Sequence, residues 1–228
     1  NTENNNNSNN KNNNNSNNTE NNTNNEQQEK EPQPEKVGTI VKTEDAKGIF
    51  KVTDTDSKMP EVSYKGTKKQ ATVSIPETIT DANNIVYKVT SIAKNAFKGD
   101  TKVKTVVISN TIKTIGANAF KNCKNLKTVA VGNKVAVIEN EAFYNCKKLK
   151  KIVIPKKVVK IGKRAFYNCK NLKTITIHTT KLTSKNVGKN ALKGLHKNVV
   201  IKVPKSKLKA YKKLFKSRGV SAKSVISK

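Results

Sequence analysis

Apolar residues return at a fixed interval of 23 positions through the second half of the chain. The hexapeptides IAKNAF, IGANAF, IENEAF and IGKRAF begin at Ile92, Ile115, Ile138 and Ile161. Three further sets of residues repeat in the same register: Phe97, Phe120, Phe143 and Phe166; Cys123, Cys146 and Cys169; Val103, Leu126, Leu149 and Leu172. A looser fifth copy follows, in which Val187 lies three positions later than the interval predicts. This register identifies an internal repeat.

Each repeat closes on an L-x-x-I-x-I stretch, in which apolar residues recur at every second position. The stretches are VKTVVI, LKTVAV, LKKIVI and LKTITI, and their period of two, with branched side chains, predicts a short β-strand. A unit this short cannot bury its apolar face alone, so successive units are expected to stack. We therefore predict a repeat solenoid over residues 91–203. It would have about five short parallel strands, roughly 4.8 Å apart, joined by turns and short helical segments around a column of phenylalanines.

The segments outside the repeats predict three further parts. Residues 1–36 begin with a stretch made mostly of Asn, which cannot bury enough apolar surface to fold and predicts a disordered tether. Residues 37–90 contain strand-like runs and predict a small N-terminal β cap. Residues 204–228 predict a capping helix and a tail, because four apolar residues fall on one helical face: Leu208, Tyr211, Leu214 and Phe215.

The repeat I-G-x-x-A-F-x-x-C-x-x-L-x-x-I-x-I-P is similar to the BspA-like leucine-rich repeats of bacterial surface proteins. The resemblance covers residues 91–203, about half of the chain, and three of the units match it closely. It implies a leucine-rich repeat solenoid that binds proteins or glycans, as in adhesion, without catalysis. It identifies no ligand, because the positions that match the family are the buried ones.

The charge of the chain is concentrated in the repeats. Residues 91–228 hold 35 Lys plus Arg against three acidic residues, a net charge of +32, whereas residues 1–90 carry a net charge of −2. Some of the lysines are themselves in register. The first lysine ladder follows the Val or Leu of each strand stretch, and the second lysine ladder follows each Cys: Lys104, Lys127, Lys150 and Lys173; Lys124, Lys147 and Lys170.

These lysines have two interpretations, a solvated surface copied along with the repeat or a site for anionic ligands. The outward side of the predicted strands is a second candidate surface. This strand face consists of Thr105, Val107, Thr128, Ala130, Lys151, Val153, Thr174 and Thr176. Lys outnumbers Arg by 44 to 2, which favours diffuse attraction over the base-reading contacts of a sequence-specific nucleic-acid binder.

Candidate catalytic groups are few. The three cysteines favour a buried column over metal or redox chemistry, because they recur at the repeat interval rather than in pairs. His178 and His196 are expected to be exposed turn residues, and three acidic residues after position 90 provide no catalytic constellation. We predict neither an enzyme nor a metal or cofactor site.

Three classes of function follow from these features. The first is a monomeric, non-catalytic interaction module that binds host or envelope proteins or anionic glycans. The second is a nonspecific binder of nucleic acid or wall polymer, and the third is an accessory arm of a larger secreted enzyme. The polar N-terminal segment favours a protein that is secreted or held at the cell surface through its N-terminus. No apolar run approaches the roughly 20 residues of a membrane span.

Overall fold

The computed structural model describes the chain at residues 31–43, 48–55, 59–66, 70–221 and 224–227. Residues 1–30, most of the predicted tether, lie outside the described residues. Within the described ranges the strands are β1 (Ile40–Lys42), β2 (Ile49–Asp54), β3 (Glu61–Gly66), β4 (Thr72–Ile75), β5 (Thr78–Thr80), β6 (Val86–Ile92), β7 (Thr105–Ile108), β8 (Thr114–Ile115), β9 (Thr128–Ala130), β10 (Val137–Ile138), β11 (Lys151–Ile154), β12 (Lys160–Ile161), β13 (Thr174–Ile177), β14 (Val200–Lys202) and β15 (Val225–Ser227). A 3-10 turn at Lys205–Lys207 leads into the helix α1 (Leu208–Ser217).

The N-terminal strands form an antiparallel start to a long sheet. β1 pairs with β2 and β2 with β3 in antiparallel fashion, and β3 then pairs parallel to β6. Alternate residues of these strands face the core, including Phe50, Val52, Val62 and Tyr64. The three antiparallel strands thereby cover the first repeat. A solenoid needs such a cover, because its terminal apolar surface would otherwise meet water.

The same sheet continues through the repeats as a ladder of very short parallel strands. β6, β8, β10 and β12 pair in order, and the isoleucines that begin each hexapeptide stand directly beside one another. A bridge from Ile161 to Val187 extends the ladder into the fifth copy. The insertion before Val187 therefore leaves the stacking intact.

A second ladder forms the other side of the coil. β4, β7 and β9 pair parallel, as do β11, β13, β14 and β15, so seven rungs are stacked within the described residues. The predicted solenoid is confirmed, and pairing adds one rung at each end. Thr72 pairs with Thr105 and Val200 with Val225. Both separations are longer than the repeat interval, so the period does not reveal these two rungs.

The core consists of columns of equivalent side chains. The predicted phenylalanine column is confirmed: Phe97, Phe120, Phe143 and Phe166 stack with centroids 4.8, 5.0 and 5.1 Å apart and nearly parallel rings. Tyr64 continues this column into the N-terminal strands at 5.5 Å from Phe97. The aromatic stack thus joins the β cap to the repeats in one core.

The bend after each phenylalanine uses left-handed backbone. Asn122, Asn145 and Asn168 have φ of 62, 60 and 61°, a conformation that Asn adopts more readily than most residues. Their side chains form an amide chain in which Asn145 donates to Asn122 and Asn168 donates to Asn145, each over 2.8 Å. The repeated Asn therefore serves both the backbone bend and the contact between repeats.

The C-terminal helix is confirmed, and it packs against the segment that carries the insertion. Tyr211, Leu214 and Phe215 are buried on one face of α1. The Tyr211 hydroxyl donates to the carbonyl of Thr179 over 3.0 Å and accepts from the N–H of Leu182 over 3.1 Å. These bonds hold the inserted segment against the helix before the chain returns to the ladder at β15.

Candidate interaction surfaces

Each residue of the first lysine ladder lies immediately before a strand of the second β-ladder, which runs through β7, β9, β11 and β13. All four of its side chains are exposed. The backbone N–H of Lys127 donates to the carbonyl of Lys104 over 2.8 Å, and Lys150 and Lys173 continue the series at 3.4 and 2.9 Å. The three residues of the second lysine ladder, Lys124, Lys147 and Lys170, are also exposed. The structure therefore stacks the predicted lysines in columns on the surface.

These columns lack compensating charge. Within the described ranges, the ion pairs join Lys113 to Glu61, Lys121 and Arg164 to Glu141, and Lys160 to Glu139, and none includes a ladder lysine. Two unit charges on adjacent rungs repel by about 0.9 kcal/mol in water before salt screening. The long lysine side chains can splay apart and lower this repulsion. The columns therefore form a region of concentrated positive charge.

The predicted strand face is continuous with the first lysine ladder, because each ladder lysine immediately precedes a strand residue. Thr128 and Lys151 are exposed, and Thr105, Thr174 and Thr176 are half-buried. Two valines point outward from the same face, with 42% of Val107 and 44% of Val153 exposed. The face therefore combines small hydroxyl groups with apolar patches beside a positive edge.

A cluster that the sequence analysis did not single out lies at the bend with the left-handed residues. It consists of Tyr144, Tyr167, Lys121, Glu141 and Arg164, hereafter the tyrosine cluster. The two tyrosine rings stack with centroids 5.2 Å apart and planes 4° apart. Lys121 Nζ lies 5.0 Å from the centroid of Tyr144, and Arg164 Cζ lies 5.9 Å from that of Tyr167.

Glu141 holds the two cations of the tyrosine cluster. Its carboxylate is 2.6 Å from Lys121 Nζ and 3.6 Å from an Arg164 guanidinium nitrogen. The hydrogen bond from Lys121 is the main reason that the pKa of Glu141 lies below its ordinary value. The signal that could have revealed this cluster was in the sequence, because each of its residues except Lys121 departs from the residue that flanking repeats carry.

The cysteine column is buried as predicted. The thiols of Cys123, Cys146 and Cys169 donate to the carbonyl of the phenylalanine of the preceding repeat, over 2.8, 3.0 and 3.1 Å. Burial raises the pKa of Cys123 and of Cys169 to about 12 and also raises that of Cys146. The reactive thiolate is therefore scarce at neutral pH.

The remaining titratable groups do not converge on a reaction centre. His178 is exposed just after β13, and His196 is half-buried in the fifth copy, where its Nδ1 accepts from the N–H of Asn198 over 3.1 Å. Among the residues described, no three His, Cys, Asp or Glu side chains are grouped so that they could hold a metal ion.

The repeats match the model of the BspA-type leucine-rich repeat region in six copies over residues 90–220, more than half of the chain. The chain belongs to the BspA-type leucine-rich repeat family. The register of Ile, Phe, Cys and Leu provides the buried columns of the BspA-type repeats. A comparison with curated proteins gave no match.

Solved structures of bacterial leucine-rich repeat proteins share this fold. A protein from Bacteroides capillosus is 25% identical with a TM-score of 0.53, and the match covers 60% of this chain and 97% of that one. The leucine-rich repeat protein of T. pallidum is 23% identical with a TM-score of 0.54, covering 77% and 72%. The pneumococcal vaccine antigen PcpA is 21% identical with a TM-score of 0.58, and this chain matches 52% of its length.

Membership of the BspA-type family gives three general expectations, for location, catalysis and binding. BspA-type proteins are typically found at the cell surface or secreted, and their repeats are typically non-catalytic. Leucine-rich repeat domains generally mediate protein interactions. Across the described stretches of this BspA-type chain, no helix has the length and apolar character needed to cross a bilayer.

Proposed function

We propose that this chain is a non-catalytic interaction module, secreted or held at the cell surface through its N-terminal segment, that binds anionic ligands as a monomer. Anionic glycans and acidic protein surfaces are the ligands that its charge favours. The two lysine ladders would supply the attraction, and the adjoining strand face would supply short-range contacts from its Thr, Val and Lys151 side chains.

The observation that carries the proposal is the stacking of seven exposed lysines in two columns with no ion-pair partner among the described residues. Repeating like charge at adjacent rungs lowers stability, and an anionic ligand would relieve that repulsion on binding. Lys rather than Arg dominates the surface, so attraction would be diffuse rather than bidentate. Nucleic acid or a wall polymer bound by charge alone is the second candidate, supported by the net +32 after residue 90.

The test compares two triple variants by their affinity for heparin, a sulfated glycan. The ladder variant is Lys127→Glu, Lys150→Glu and Lys173→Glu, and the matched control is Lys134→Glu, Lys189→Glu and Lys212→Glu. All six lysines are exposed, so each variant changes the net charge equally. We expect the ladder variant to lose at least about tenfold more affinity than the control, equivalent to about 1.4 kcal/mol.

Equal losses from the two triples would show that total charge decides binding and that the ladders are not a site. Double-stranded DNA serves as the second probe. If DNA affinity depends on the ladders as heparin affinity does, the ladders are a general polyanion surface, the second candidate. Affinity that does not fall with salt would contradict both, because binding by charge releases condensed counterions.

A further inference from the structure

Two adjacent repeats depart from the others at the same two surface positions. The first position carries Lys98, Lys121, Tyr144, Tyr167 and Lys193 in successive repeats, and the second carries Asn95, Asn118, Glu141, Arg164 and Asn190. The buried residues of those repeats keep their pattern. The four residues that depart from the pattern all belong to the tyrosine cluster, in the middle of the solenoid: Tyr144, Tyr167, Glu141 and Arg164.

The two departures at the second position are unfavourable for the backbone. Glu141 and Arg164 have φ of 57 and 53°, in the same left-handed region as the asparagines that occupy this position in the flanking repeats. Asn tolerates this region, whereas residues with longer side chains adopt it at a cost. Strained residues of this kind concentrate at functional sites.

The arrangement of the tyrosine rings restricts what they can contact. Tyr144 and Tyr167 cover each other's inner faces, and Lys121 and Arg164 lie over the rings at 5.0 and 5.9 Å from their centroids. A sugar ring that stacks on an aromatic face would have to displace these groups. Ring edges and hydroxyl groups suit an edge-on aromatic contact and a hydrogen bond to a carboxylate.

The charges of the cluster favour an acidic partner. Glu141 offsets one of the two cations, so the cluster keeps a net charge of +1, and 44% of the Arg164 side chain is exposed. The exposed Lys147 and Lys170 follow the two tyrosines by three residues. Tyr and Arg are also, with Trp, the residues most enriched at the energetic centres of protein interfaces.

We propose that the tyrosine cluster is the centre of a protein-binding site and that its partner is an acidic segment that also presents aromatic side chains. The proposal rests on the proposed function, since the lysine ladders would supply the long-range attraction to the same partner. The ladders would bring the acidic segment to the surface, and the tyrosine edges with Arg164 would select one that carries rings.

The test uses two polypeptide probes of equal length, poly-L-glutamate and a random copolymer of glutamate and tyrosine. The variant Tyr144→Lys, Tyr167→Lys gives both repeats the residue of their neighbours and adds two positive charges. We expect wild-type protein to bind the copolymer more tightly than poly-L-glutamate. In the variant, copolymer affinity should fall by at least about tenfold, the range of an interface centre, while poly-L-glutamate affinity does not fall.

The measurements would be made at about 0.15 M and about 1 M salt, where the Debye length falls from about 8 Å to about 3 Å. The preference of wild type for the copolymer should persist at the higher concentration, because contacts to rings are not screened. Melting temperatures of wild type and variant would establish that both are folded. The variant Tyr144→Phe, Tyr167→Phe keeps the rings, and we expect it to retain most of the preference.

Equal affinity of wild type for the two polypeptides would overturn the proposal, and so would an unchanged copolymer affinity in the lysine variant. A loss of heparin affinity as large as the loss for the copolymer would also overturn it, because the cluster would then be a glycan site. These outcomes are distinct from failure of the proposed function, which the ladder and control triples test with heparin.

Discussion

Asn145 combines two roles at one position, a left-handed backbone and a link in the amide chain. Its φ is 60°, its amide donates to Asn122, and its carbonyl oxygen accepts from Asn168. Gly occupies the equivalent position in two flanking repeats, as Gly99 and Gly194, with φ of 72 and 76°. The backbone geometry therefore selects Gly or Asn, and only Asn joins the repeats through its side chain.

Substitutions at Asn145 can separate these roles. Asn145→Ala should lower the free energy of unfolding by roughly 2–3 kcal/mol, because it loses the amide bonds and puts in left-handed backbone a residue that tolerates this region less well than Asn. Asn145→Gly loses the same bonds without that backbone cost, and we expect about half the effect. Urea denaturation would measure both. If the two variants unfold at the same urea concentration, left-handed backbone is not a cost at this position.

At the scale of the element, the phenylalanine column connects each repeat to the next. Phe143 is fully buried between Phe120 and Phe166, at 5.0 and 5.1 Å between ring centroids. Leu192 occupies the equivalent place in the fifth copy and is also buried. The column thus tolerates an aliphatic side chain in the fifth copy, and its preceding members stack as rings.

Phe143→Ala should lower the free energy of unfolding by about 3–5 kcal/mol, because it opens a cavity in close-packed core. The matched control is Phe143→Leu, which fills most of the space as Leu192 does, and we expect a loss of about 1–2 kcal/mol from ring stacking and imperfect packing. Thermal or urea unfolding would give both values. An alanine variant as stable as wild type would be incompatible with the stacked column.

The C-terminal helix illustrates how an element can be predicted while its role depends on the fold. The apolar spacing of Tyr211, Leu214 and Phe215 predicted the helix, and these residues are buried. Neither the hydrogen bonds of Tyr211 to Thr179 and Leu182 nor the return of the chain to β15 follows from that spacing. Both depend on contacts between residues that lie far apart in the chain.

At the scale of the whole molecule, charge opposes the stacking that the core favours. The lysine ladders contain five neighbouring pairs, and at about 0.9 kcal/mol each their repulsion reaches at most about 4.5 kcal/mol before splaying and salt screening. Apolar burial of the columns must exceed this repulsion for the solenoid to form. Salt should therefore stabilise the free protein while it weakens binding to anionic ligands.

We expect the melting temperature of the free protein to rise by a few degrees between about 0.05 M and about 0.5 M NaCl, as screening recovers about 1 kcal/mol. The variant Lys127→Glu, Lys150→Glu, Lys173→Glu is the control, and its melting temperature should depend less on salt. Calorimetry would measure both proteins. A wild-type melting temperature that falls as salt is added would show that the ladders do not destabilise the fold.

The sequence by itself determined the solenoid, its buried columns and the alignment of the ladder lysines. Repetition makes these features predictable. The same contact forms between every pair of neighbouring repeats, so it requires the same residue type at the same interval. Phe120 and Cys146, for example, reveal their environment through their equivalents in the neighbouring repeats. Their burial follows from stacking alone.

Only the tertiary structure decided the outer rungs and the tyrosine cluster. β4 and β15 pair with strands that lie at separations outside the repeat period, so their place depends on how the intervening chain packs. The cluster brings Lys121, Glu141 and Arg164 together from three successive repeats, and its geometry depends on a left-handed bend that no residue pattern specified there. Departures from the repeat mark four of its residues in the sequence, but a departure does not say what a residue contacts, and only the folded backbone brings these side chains together.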